Sequence, residues 1–379
     1  MYRMALTTLG TLLLAQQGLA MEEFYTAPGA RAMAMGGAFT AVAEDSSTVW
    51  YNPGGLGFLS GMDVTLDYGT VVVGSEDVGS ASGSDIALYD TESELKYLGF
   101  SGKGFGMAYF RPYDFHSYGK DDKGDITRIR TEYSELKFGF GVDLNDHVAV
   151  GGSIDMISQS TDSDCESCDE NDETGFGYTL GVLGKWKMDA AGKTELRAGA
   201  TWRSGTDVDA LLGEFEDLPN RPQVLSLGLA VKRPFDLGAG WGMSATGSVQ
   251  FDDIAYSKVL YLGQNGIERS DNRIAVDHER IAYGAEFQFI TPSNQSFFIR
   301  AGGYDSEAEG DAAPLLDGSN DRFRPYSSGV EAVTAGLGVY LGDWIVDYAM
   351  EQRTILKSDY AAVQDQDETL HSLSISRAF

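Results

Sequence analysis

The sequence predicts an all-β chain, a transmembrane antiparallel β-barrel of about 14 strands. Three observations carry that expectation. Apolar side chains recur at every second position through segments of roughly ten to fifteen residues. The connections alternate between short turns and long loops. An export leader precedes both.

The leader is residues 1–20, MYRMALTTLGTLLLAQQGLA. A basic Arg3 is followed by an apolar stretch from Met4 to Ala15, and Gly18-Leu19-Ala20 puts small residues where a signal peptidase inspects them. The stretch is shorter than the roughly 20 residues a transmembrane helix needs, so it reads as a cleaved signal peptide. Composition agrees with many strands and tight turns: 47 Gly, 19 Tyr and 19 Phe stand against 9 Pro and 2 Cys. A formal charge of −29 repels a phosphate backbone and excludes nucleic acid as a partner. The same acidity makes divalent cations candidate partners at the outer loops.

The alternation is plainest at Trp241, Met243, Ala245, Val249 and Phe251, interleaved with Gly242, Ser244, Thr246, Ser248 and Gln250. Val333, Ala335, Leu337, Val339 and Leu341 repeat it, as do Leu225, Leu227, Leu229 and Val231. The opposite face carries Glu135, Lys137, Arg197, Arg203, Glu286, Arg300, Asp347 and Glu351, charges compatible with a wet lumen. Short turns are expected at 102–104, 143–146, 190–193, 236–238, 291–294 and 342–343, and long loops at 76–92, 118–125, 161–173, 207–222, 257–277, 307–328 and 358–367. About seven long loops and about six turns imply an even number of strands with both ends in the periplasm. The last segment, His371, Leu373, Ile375, Arg377 and Phe379, resembles the terminal strand that barrel-assembly machinery recognises, with Arg377 able to snorkel.

Between leader and barrel, residues 21–60 show no strand alternation. Gly29-Ala30-Arg31-Ala32, Met35-Gly36-Gly37-Ala38-Phe39, Glu44-Asp45 and Trp50-Tyr51-Asn52-Pro53-Gly54-Gly55-Leu56 are similar to the N-terminal motifs of the FadL/TodX superfamily of outer-membrane transporters. Asn-Pro-Gly stands where the family has Asn-Pro-Ala. The resemblance implies three parts: a signal peptide at 1–20, an N-terminal hatch inside the lumen at 21–60, and the barrel at 61–379. It places Gly36, Gly37, Phe39, Asn52, Pro53 and Gly54 in the hatch. It implies passive uptake of a hydrophobic small-molecule ligand such as a long-chain fatty acid, handed to outer-membrane lipid or the periplasm. The alternative it leaves open is a PorV-like scaffold for protein secretion or surface attachment.

Nothing points to catalysis. His116, His147, His278 and His371 fall in no metal-binding spacing and near no nucleophile motif, so no catalytic residue, metal or cofactor is expected. The acidic loop 161–173 carries Cys165 and Cys168, a candidate local disulfide outside the cytoplasm, and its carboxylates offer hard ligands for cations. Leu211, Leu212, Phe215 and Leu218 recur at helical spacing in the fourth long loop, a candidate greasy groove by analogy with the family. The third strand contains Pro112, which cannot donate to a ladder and should bulge or kink it. In the family this chain resembles, a kink in the third strand opens a lateral window, so the resemblance makes Tyr109, Phe110, Pro112, Tyr113 and Phe115 candidates for a lateral opening; the alternative is the outer aromatic girdle.

Overall fold

The computed structural model describes residues 28–73, 94–120, 126–163, 171–189, 191–205, 221–255, 262–263, 267–268, 277–308, 329–356 and 366–379. Fourteen antiparallel strands close into a barrel. They are β1 (Asp63–Val73), β2 (Glu94–Gly102), β3 (Phe105–Lys120), β4 (Ile126–Asn145), β5 (Val148–Ser163), β6 (Asn171–Lys187), β7 (Glu195–Arg203), β8 (Gln223–Gly238), β9 (Trp241–Ala255), β12 (His278–Ile290), β13 (Ser296–Ala308), β14 (Gly329–Leu341), β15 (Trp344–Leu356) and β16 (Gln366–Ala378). Two short strands, β10 (Leu262–Gly263) and β11 (Ile267–Glu268), pair with each other in the connection after β9. Barrel strands pair in chain order, and β16 returns to β1 with Asp63 opposite Ala378 and Val73 opposite Glu368. Met62 and Phe379 exchange backbone hydrogen bonds beside this seam. Closure leaves no sheet edge, the condition for strands to cross a bilayer.

The turns fall close to where the sequence puts them, with small differences. β8 runs on through 236–238, and Ala239 and Gly240 make the turn instead, at φ 51 and 79. Positive φ at both central residues matches the twist of a tight hairpin. β3, β5 and β6 extend into segments expected as loop, and the β10–β11 hairpin has no counterpart in the sequence reading.

Successive side chains alternate between the two faces. Leu337 is 60% exposed on the outside, whereas Arg300 on the inside is 2% exposed. Phe138, Leu180, Leu229, Val249, Leu337 and Leu373 continue the bare outer surface around the cylinder. Apolar patches on soluble monomers stop at about 300–600 Å², so a surface of this extent is a lipid-facing one. No helix among the described residues is long and apolar enough to cross a membrane; the strands do the crossing.

The inner face corrects one expectation. Glu135, Lys137, Arg197, Glu286, Arg300, Asp347 and Glu351 do point inward, but they are buried, not bathed in an open lumen. Lys137 meets Asp155 at 2.7 Å, Arg300 meets Asp347 at 2.6 Å, and Glu351 accepts from Tyr304 at 2.8 Å. A chain segment filling the lumen is the reason, as described below.

A closed barrel whose backbone bonds are all internal resists detergent unfolding. The chain should therefore fractionate with membranes, and an unboiled sample should run ahead of a boiled one on a denaturing gel. Recovery in the soluble fraction with identical mobilities would contradict the membrane barrel.

Candidate functional site

Residues 28–59 contain no strand; their regular pieces are α1 (Ala30–Met33), α2 (Thr48–Tyr51) and a 3-10 segment (Pro53–Phe58). The Asn52 side chain caps the last by accepting from the Gly54 amide at 3.0 Å. This segment touches every strand of the barrel. Ser46 bonds Thr65 of β1, Tyr97 of β2 bonds the Ser46 carbonyl, and Trp50 lies edge-on to Phe110 of β3 at 4.4 Å. The 3-10 segment packs on β4 and β5, and Asn52 donates to the Val182 carbonyl of β6. Arg197 of β7 bonds the Val42 carbonyl, Lys232 of β8 bonds Glu44, and Gln250 of β9 takes the Phe39 amide. Arg31 bonds Glu286 of β12, Gly36 lies against Gly303 of β13, and Thr334 of β14 takes the Gly36 amide. α1 packs on β15, and Ser374 of β16 takes the Ala30 amide. Only a segment on the axis can reach all the staves of a closed cylinder.

Two close approaches decide residue identity. Gly36 has φ 64, and a Cβ there would lie 2.6 Å from the Gly303 nitrogen. A Cβ on Gly141 of β4 would lie 2.6 Å from the Pro53 carbonyl oxygen and 2.8 Å from the Gly57 nitrogen. Phe39 is fully buried beside Tyr51, with the Arg31 guanidinium 5.3 Å from its ring centroid.

Arg31 is the centre of a line of charges across the lumen. It reaches Glu286 through Nε and Nη2 at 2.8 and 2.9 Å, Asp45 at 2.9 Å and Glu44 at 3.0 Å. On one side Glu286 continues to Arg300 at 2.7 Å and Arg300 to Asp347. On the other, Glu44 continues to Arg197 at 2.8 Å and Lys232 at 3.1 Å.

The wall itself is interrupted at β3. Phe110 faces Glu135 and Tyr113 faces Tyr133 on β4, so Arg111 and Pro112 together oppose one residue, Ser134. That is a β-bulge, and it contains Pro112. Toward β2, pairing stops at Tyr97 opposite Phe110, although β2 runs on to Glu94. β2 carries its own bulge against β1, where Tyr97 faces Asp67 and Leu95 faces Tyr68, leaving Lys96 extra. Behind the interruption lie buried Phe110, Trp50, Tyr97 and Val49. Across it, Arg111 reaches Glu94 at 3.1 Å; on its other side Arg111 meets Glu132 of β4 at 2.7 Å, and Lys96 holds Glu94 within β2 at 2.6 Å.

Trp50 also has two cations near its ring, Lys137 at 4.8 Å and Arg203 at 4.4 Å. Arg203 is unusual. Inward-facing Arg197, Arg221, Arg280, Arg300 and Arg353 each meet a carboxylate. Among the described residues Arg203 meets none; it donates to the Trp50 carbonyl at 3.3 Å, and its buried Nε has no acceptor.

The six residues that the sequence assigns to a hatch, Gly36, Gly37, Phe39, Asn52, Pro53 and Gly54, lie buried inside the barrel, and the β3 residues are split. Tyr109 is half-buried on the outer face, Phe110 is inside, and Pro112, Tyr113 and Phe115 lie along β3 with their side chains outside the described residues. Leu211, Leu212, Phe215, Leu218, Cys165 and Cys168, and the leader, also lie outside them. Sequence reasoning missed Trp50 as the centre of the aromatic cluster and missed the Glu94–Arg111 pair altogether. Arg111 breaking the apolar run Phe105, Met107, Tyr109 was the available signal.

No protein-family model matches the chain, and no curated protein matches it. Solved structures do. The barrel resembles a "TodX deltaS2S3 mutant monoaromatic hydrocarbon channel" at TM-score 0.53 and 14% identity, covering 92% of this chain and 98% of that one. It resembles a TodX deltaS2 mutant of the same channel at TM-score 0.51 and 13% identity, covering 93% and 98%. The Ralstonia pickettii toluene transporter TbuX aligns at TM-score 0.49 and 14% identity, covering 94% and 100%. The chain thus shares the fold of the hydrocarbon-channel barrels.

The tight seat of the inner segment is testable at Gly36. Gly36→Ala introduces both the backbone penalty of positive φ and a clash with Gly303, together about 1–3 kcal/mol. It should raise single-channel conductance in planar bilayers and lower the temperature at which the barrel loses its gel-mobility shift. Wild-type conductance and an unchanged transition would show that the segment is not tightly seated there.

Proposed function

We propose that this barrel, which shares its fold with hydrocarbon channels, takes up hydrophobic small molecules passively across the bacterial outer membrane, with residues 21–60 as the hatch that keeps the lumen closed. The observation that carries this reading is the β2–β3 interruption backed by buried Trp50, Phe110 and Tyr97. An apolar molecule sheltered among these rings is separated from the bilayer by a stretch of wall that lacks a continuous ladder. Leaving sideways would spare it a passage through water. The apolar inner cluster around Phe39, Val42, Val49 and Leu56 suits the same cargo.

Within that class we favour a long-chain carboxylate such as a fatty acid. Arg203 supports this finer reading: a guanidinium with a buried, unused donor fits a carboxylate head, while the tail lies along Trp50 and Phe110.

Two measurements test these statements separately. Pro112→Val restores a ladder donor at the bulge and should slow uptake of a fluorescent fatty-acid analogue by cells while the gel-mobility shift persists; unchanged uptake would remove the lateral route. Arg203→Gln, in purified protein in lipid nanodiscs, should weaken dodecanoate binding about 10- to 100-fold, the worth of a charged hydrogen bond, and leave dodecanol binding unchanged. Equal loss for both ligands, or none, would overturn the carboxylate assignment and leave hydrophobic uptake standing.

A further inference from the structure

The geometry points to an electrostatic latch over the β2–β3 interruption: Arg111 of β3 and Glu94 of β2 hold the two strands together where their backbones do not, and parting them is the step that opens the wall. This inference rests on the lateral route proposed above. Three features converge on one place. The β2–β3 ladder ends at Tyr97 and Phe110. Each strand then bulges away from its other neighbour's register, β2 at Lys96 and β3 at Arg111-Pro112. Across that gap the Arg111 Nε stands 3.1 Å from the Glu94 carboxylate.

The partners are arranged to favour a reversible closure. Glu94 is shared: its other oxygen takes Lys96 of its own strand at 2.6 Å. Arg111 is shared as well, with Nη2 at 2.7 Å from Glu132 of β4. When the Arg111–Glu94 contact opens, neither charge is left bare in the membrane, because Lys96 keeps Glu94 and Glu132 keeps Arg111. The cost of parting is thereby kept well below that of breaking an isolated buried pair, whose stranded charge would dominate. Side-chain exposures of 19% for Arg111 and 13% for Glu94 place the pair under partial cover, so it is screened less than a surface bridge. A backbone ladder at this position would be a permanent seam; a shared ion pair is one that can yield and reform.

The test uses the full-length barrel in whole cells, with a fluorescent dodecanoate analogue as the probe and gel-mobility shift as the control for assembly. Glu94→Gln weakens the contact while keeping shape, and initial uptake should rise about two- to tenfold, the range for a partly covered ion pair. Arg111→Gln should raise uptake by a similar factor, and Glu94→Gln with Arg111→Gln together by no more than either alone, the non-additivity of one shared contact that two independent structural defects would not show. Joining Glu94→Cys to Arg111→Cys with a short bis-maleimide should stop uptake. Unchanged uptake in the Glu94→Gln barrel, with uptake still blocked by the cross-link, would overturn the latch and leave the lateral route intact. Uptake that persists through the cross-link would overturn both, since no traffic would then pass this gap.

Discussion

A polypeptide without strands or long helices, enclosed in a barrel, carries backbone amides and carbonyls that no ladder satisfies, and the rest of this structure follows from meeting that demand. Each such group left alone costs about 1–3 kcal/mol, against a net gain of about 1 kcal/mol when paired. The wall supplies the partners. Gln250 takes the Phe39 and Thr40 amides with one oxygen, Thr334 takes the Gly36 amide and donates to the Ala34 carbonyl, and Ser374 takes the Ala30 amide. Arg280 donates to the Gly36 carbonyl and Arg197 to that of Val42, while the segment's own Asn52 donates to the carbonyls of Thr40 and, in the wall, Val182. The inner face of the barrel is thus a mould whose polar side chains are set by atoms of the segment they enclose.

Charge obeys the same logic at longer range. A buried guanidinium such as Arg31 is tolerable only with carboxylates around it, and its partners come both from the enclosed segment, Glu44 and Asp45, and from the wall, Glu286. Because Glu44 then engages β7 and β8 while Glu286 engages β13, the segment is tied to strands on both sides of β9. Removing the segment would leave Arg197, Lys232 and Glu286 without their inner partners. The same pairing rule makes Arg203 conspicuous: it has an aromatic face and a backbone carbonyl where its neighbours have carboxylates.

How much of this is legible in the sequence depends on which solvent a residue faces. Lipid asks only for apolarity, so Leu225, Leu227, Leu229 and Val231 announce an outward face by period alone, and the strand number follows from the turns between such runs. The inside asks for a match to one particular neighbour. Gly141 is required by the Pro53 carbonyl, and Gln250 by two consecutive amides, distant in sequence and tied only in the folded barrel. Period-two alternation says that Glu286 and Arg300 face inward but not that they are dry, because nothing in the local pattern reports what occupies the lumen. Pro112 was readable as a ladder defect from its chemistry; that the defect adjoins Trp50, and is crossed by Glu94 and Arg111, depends on three-dimensional register.

That defect shows how a membrane wall can be opened without being wrecked. Unpaired backbone in hydrocarbon is expensive, so an interruption midway along β3 should be disfavoured. Three features lower its cost here. Pro112 has no N–H, so one donor that the missing ladder would strand is absent. β3 regains β4 immediately beyond the bulge, from Tyr113 opposite Tyr133 to Lys120 opposite Ile126, so one side of the strand stays fully bonded. β2 likewise stays paired to β1 through Leu95 and Glu94, opposite Tyr68 and Gly69. The break is therefore confined to a single strand interface, and the barrel's closure around the other interfaces does not depend on it.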